Sequence, residues 1–207
     1  MRFVWIILLI FLTLPTYAQT PKVFYITADR VFDGEAMHSG WAVVVENNKI
    51  IAAGPREKVP TPTNAIKINY PNATLTPGLI EGHSHLFLYP YNLTDWDTQV
   101  LKETDAYRTV RATVHAKNTL MAGFTTARDL GTEGAGYSDV ALKRAINEGI
   151  VLGPRLLVAG RAIVSTGSYG PKGYDHDQEI MLGAEPADGN NLVRVVRDQI
   201  GKGADFI

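Results

Sequence analysis

Two histidines, His83 and His85, close the run Thr76-Pro77-Gly78-Leu79-Ile80-Glu81-Gly82-His83-Ser84-His85. On an extended strand successive side chains alternate faces, so this spacing sends both imidazoles to one side and Ser84 to the other. Neutral imidazoles suit zinc, nickel or iron, and two of them supply half of a tetrahedral shell. Taken alone, the pair also reads as two half-buried polar histidines. The neighbouring residues favour the metal: Pro77-Gly78 breaks the chain just before a short apolar strand, and Gly82 removes side-chain bulk beside His83. Further ligands must come from elsewhere, and since the chain has no cysteine they must be His, carboxylates or a modified side chain.

Other candidates lie downstream. Arg128 and Asp129 end the segment Gly123-Phe124-Thr125-Thr126-Ala127-Arg128-Asp129, where they could steer substrate but read first as a buried pair that fixes the adjoining loop. The glycines at 131, 134 and 136 look like a phosphate-binding loop, but the segment lacks both the Lys of a P-loop and the spacing of a dinucleotide fingerprint. A flexible strand-to-helix loop accounts for it. Residues 164–171 are polar and glycine-rich, and long loops of this kind line pockets or act as lids, which makes Ser168 and Tyr169 candidate substrate contacts. His176, between Asp175 and Asp177, reads as part of a solvated loop, and His115 and His38 read as surface residues.

The elements that position these residues follow from the apolar pattern. Residues 23–75 read as short strands: Val23 to Ile26, Arg30 to Phe32, Trp41 to Val45 paired with Ile50 to Ala53 across Asn47-Asn48, and Ile66 to Ile68. From residue 76 the rhythm becomes strands alternating with helices, the pattern of an α/β parallel sheet covered by helices. Expected strands are Thr76 to Gly82, Phe124 to Arg128, Arg155 to Ala159 and the start of a fourth at 204–207. Expected helices are Gln99 to Met121, with Leu101, Val110, Val114, Leu120 and Met121 at helical spacing, then Ser138 to Gly149 and Asn190 to Lys202. A chain stopping inside a parallel strand leaves an unpaired edge, so the sequence is expected to be an N-terminal fragment.

Pro77, Gly78, Leu79, Ile80, His83 and His85 stand in the register of the first barrel strand of the metal-dependent amidohydrolase superfamily, with Glu81 where Asp is usual. The chain resembles that superfamily over about residues 22–207, closest to its imidazolonepropionase-like and metallo-dipeptidase branch. Gly123 to Asp129 is similar to its second strand. The resemblance implies a small N-terminal β-sandwich portion over 22–75 and the first three to four strands of a TIM-type (β/α) barrel over 76–207, truncated. It implies one or two divalent metal ions, zinc foremost, held in part by His83 and His85. The activity implied is hydrolysis of the C–N bond of a cyclic amide or small peptide by metal-activated water. In the family a Lys commonly follows the segment matching Gly203 to Ile207 and bridges two metals. That Lys, two later His and the catalytic Asp would lie beyond Ile207, so this stretch alone is expected to be inactive. No Arg occurs in 86–97 to receive an imidazolone carboxylate, which moves the reading toward a dipeptidase. The alternative is an inactive half-barrel that binds. A cupin, which shares His-x-His, lacks its following Glu here and conflicts with the strand-helix alternation.

Composition narrows the partners. The net charge is −1 with Lys and Arg scattered, which gives nucleic acid no basic face. Residues 1–18 carry one Arg, an apolar stretch from Phe3 to Leu14 and Ala18 at a cleavage position, the pattern of a signal peptide. The apolar stretch is shorter than the ~20 residues of a spanning helix. A periplasmic or secreted protein without a stable membrane anchor is expected, acting on a small molecule or peptide.

Overall fold

The computed structural model describes residues 22–170, 173–175, 177–178, 180 and 183–207. The leader at 1–18 and His176 lie outside the described residues. The chain divides into two compact units, Met1–Pro77 and Gly78–Ile207.

The first unit is one five-stranded sheet built around β1 (Val23–Phe32). Along one edge β1 pairs antiparallel with β2 (Met37–Ser39) and β3 (Trp41–Glu46), and β5 (Ile66–Leu75) lies parallel to it. The two strands expected within residues 23–32 are a single strand, interrupted only by a register shift between Ala28 and Arg30 opposite β5. β4 (Lys49–Pro55) pairs with β3 as the sequence led us to expect, and Asn47 takes a left-handed turn conformation at φ 53°. Val23, Ala42, Val44 and Val59 form the buried core. His38, expected at the surface, is half-buried: it stacks on Trp41 at 3.7 Å and meets the Asp33 carboxylate at 2.7 Å. That carboxylate also accepts from the backbone N–H groups of Ala36 and Glu35, which together with His38 hold its pKa well below the usual range.

In the second unit β6 (Leu79–Ser84), β7 (Phe124–Asp129) and β8 (Arg155–Val158) form a parallel sheet in that order. Helix α1 (Asp105–Met121) connects the first two strands, α2 (Ser138–Asn147) the next two, and α3 (Leu192–Gly201) follows β8. Parallel neighbours need such crossovers, and the expected alternation is present. The core gathers Phe87, Ala112, Ala116, Ala127, Leu142, Leu156 and Val158.

Three expectations change. The helix expected from Gln99 is divided: a π-helical turn at Thr98–Lys102 ends where Glu103 is extended, and α1 starts after Thr104, whose hydroxyl accepts from Tyr107 N. The face of α1 that is buried is Arg108, Arg111, Ala112 and Ala116, whereas Val110, Val114 and Met121 are exposed. Residues 204–207 form no strand; Asp205 joins β8 only through its N–H to Val158 O and its carboxylate from Val158 N, both 2.8 Å. With its side chain taking the donor that a ladder needs, Asp205 makes one local ring rather than a strand. No helix among the described residues is long and apolar enough to cross a membrane.

Candidate functional site

β6 delivers His83, and His85 follows just past its end. Their ring centroids are 5.4 Å apart with planes at 69°. The Ser84 hydroxyl donates to Arg128 O of β7 at 2.8 Å. The register of β6 against β7 slips between Glu81 and Ser84, three steps on one strand against two on the other, which is a bulge at the first histidine. A bulge leaves a backbone donor without its ladder partner. Here Glu81 supplies one, its Oε1 accepting from His83 N at 2.9 Å.

His85 is half-buried, and its Nδ1 lies 2.9 Å from the carbonyl of Gly131. A carbonyl only accepts, so Nδ1 donates, and in the neutral ring Nε2 is then the nitrogen with the free lone pair. This is the support that metal-binding imidazoles receive from a carbonyl behind them. Gly131 is itself held in place: Asp129 accepts from Gly131 N and from Leu86 N, both at 3.2 Å. One buried carboxyl thus ties the residue after His85 to the residue whose carbonyl orients His85. Burial, and next the charge of Asp139, push the Asp129 carboxyl up to about 8. Asp139 is fully buried as well, is raised by its own burial, and accepts from Gly160 N at 2.7 Å.

Arg128 does not share this environment. It is exposed and lies over the Phe206 ring at 4.6 Å, so the expected buried pair is a buried Asp129 beside an outward Arg128. His115 is likewise relocated: it is half-buried, with Nδ1 2.8 Å from Leu86 O and its ring edge-on to Tyr89. Residues that the sequence did not single out join the frame. Arg108 is fully buried and donates to Phe87 O at 3.2 Å and Thr132 O at 2.7 Å. Arg111 pairs with Glu103 at 2.7 Å and lies over the Tyr89 ring. Together they fasten the loops after β6 and β7 to α1.

His83 and the two loop candidates line different hollows. His83, with Glu81, Ser84, Asn118, Thr119 and Phe124, borders one of about 380 Å³. Ser168 and Tyr169 border another of about 350 Å³ with Tyr91, Trp96, Asp97 and Gly170. The donor set fits a divalent cation in part: two adjacent imidazoles, one with its tautomer fixed. Among the described residues no group of three His, Asp or Glu converges on one point.

Residues 74–205 match the model of the amidohydrolase family. No curated protein matches the chain significantly. Among solved structures, a prolidase complexed with N-methylphosphonate-L-proline is 28% identical with a TM-score of 0.71, covering 88% of this chain and 45% of its own. A Xaa-Pro dipeptidase with bound methionine in the active site is 25% identical with a TM-score of 0.72, covering 89% and 46%. An ochratoxinase from A. niger is 25% identical with a TM-score of 0.69, covering 89% and 45%. The chain therefore spans less than half the length of these structures.

Proposed function

The chain belongs to the amidohydrolase family, and from that premise we propose that it contributes His83 and the Nε2 of His85 to a divalent-metal centre of a hydrolase acting on carbon-nitrogen bonds. The observation that carries the reading is the His85 Nδ1 contact with Gly131 O, which fixes the tautomer a ligand needs. Zinc is the first candidate because the resemblance implies it, although imidazole donors suit nickel and iron as well. When bound, such an ion supplies Lewis acidity that makes a water nucleophilic near neutral pH and polarises a carbonyl. The chain's own residues prepare for that. Asp129 positions Gly131 and Leu86, Gly131 orients His85, and Glu81 holds the bulge that presents His83. The residues that complete the metal shell and move protons are expected beyond Ile207, as the resemblance implies.

A small peptide is favoured over a cyclic amide as substrate, because a prolidase and a Xaa-Pro dipeptidase stand among the similar structures. Zinc titration with metal analysis tests the centre. His83→Ala and His85→Ala should each weaken Zn²⁺ binding by about tenfold or more, worth ~1.4 kcal/mol. Undiminished binding in both variants rejects the assignment. A dipeptide panel tested alongside cyclic amides on the full-length protein checks the substrate, and turnover of cyclic amides alone would overturn the peptide reading.

A further inference from the structure

The loops that follow β6, β7 and β8 meet on one carboxylate. Glu133, in the middle loop, accepts from Trp96 Nε1 of the first loop at 3.0 Å and from the Tyr169 hydroxyl of the third. The Trp96 and Tyr169 rings stand edge to face, 6.0 Å between centroids and 79° between planes. They make two walls of the 350 Å³ cleft, which Tyr91, Asp97, Ser168 and Gly170 complete.

The chemistry of this cleft selects one kind of guest. Aromatic faces carry negative quadrupole density that attracts a cation. Trp96 and Tyr169 both donate to an acidic side chain, which shifts further electron density into their rings. Asp97 adds a carboxylate to the lining, and its Oδ2 accepts from the Tyr174 hydroxyl at 3.3 Å. An anion would meet Asp97 and lie close to Glu133, and an uncharged apolar group would desolvate Asp97 without compensation.

We propose that this cleft is a recognition site for an organic cation, an alkylammonium or guanidinium group such as the end of a basic side chain. It lies on the loops at the C-terminal ends of the parallel strands, the end of the sheet at which His85 and Asp129 sit. The assignment does not require a metal at His83 and His85, so its failure and the failure of the hydrolase reading are separable.

Choline and its uncharged isostere 3,3-dimethylbutan-1-ol, titrated into the protein and followed by ligand-observed NMR, provide the test. Choline should bind saturably and the alcohol should not. Tyr91 is 60% exposed, so Tyr91→Leu leaves folding intact, and Asp97→Asn keeps the size of the side chain. Each should weaken choline binding by about 2- to 5-fold, and Trp96→Leu should abolish it while the far-UV circular dichroism is retained. Added salt should weaken choline binding in the native protein. Equal binding of the alcohol, choline binding unchanged in Tyr91→Leu and Asp97→Asn, or no choline binding at all would each overturn the proposal.

Discussion

Asp129 shows how one side chain couples position to pH. Its carboxyl is fully buried and pushed up to about 8, by burial first and then by Asp139. The ordinary value is 3.8, so between about pH 4 and about pH 8 the folded protein holds a proton that the unfolded chain has released. Stability contributed by this group is therefore undiminished below about pH 4, falls as pH rises through the window, and levels off above about 8. Asp129→Asn should flatten that decline in urea midpoints measured across the window, and a slope as steep as in the native protein would contradict the argument. Asp129→Ala should cost about 2 kcal/mol, because the N–H groups of Leu86 and Gly131 lose their acceptor. At this scale the closeness of His83 and His85 was legible, since it depends on neighbours two residues apart. The settings of His115 and His38 were less so. The carbonyl beside His115 belongs to Leu86, 29 residues away, a separation that no local pattern records. The split of Arg128 from Asp129 could have been read: adjacent strand residues face opposite sides, and that rule applies to them as it does to Ser84.

Among the elements, β6 depends on the close approach of its first turn to β7. A Cβ placed at Gly78 would overlap Thr125 Oγ1 and Cγ2 and stand 2.6 Å from Thr125 Cβ. Gly78→Ala should lower stability by about 1–3 kcal/mol. Thr125→Ala should restore little, because Thr125 Cβ is part of the collision, and thermal denaturation of the single and double variants measures both effects. An unchanged melting temperature in Gly78→Ala would refute the close approach. Strand-helix alternation was readable because apolar runs and glycine stops recur in order. The inner face of α1 was not, because Ala112 and Ala116 let the helix lie near the sheet while Arg108 and Arg111 reach loop carbonyls. Buried arginines look like a solvent face in a hydrophobicity pattern, and their burial depends on acceptors supplied from elsewhere. The helix start was marked by Thr104-Asp105, a capping pair that the longer apolar rhythm obscured.

For the molecule as a whole, the chain divides into its two units after Pro77. The leader at 1–18 is proposed to direct export, and N-terminal sequencing of the exported protein should begin at Gln19; a mature protein that retains Met1 would reject this. Within the second unit the loops after β6, β7 and β8 share a centre that composition could not reveal, although the glycines around Glu133 hinted at an unusual backbone. Glu133 itself sits at φ 51°, between glycines at 131 and 134 with φ of 142° and 94°. Because this one left-handed residue serves donors from two loops distant in sequence, Trp96, Glu133 and Tyr169 cannot vary freely. The three positions should therefore change together across homologous sequences, and independent variation among them would contradict the coupling.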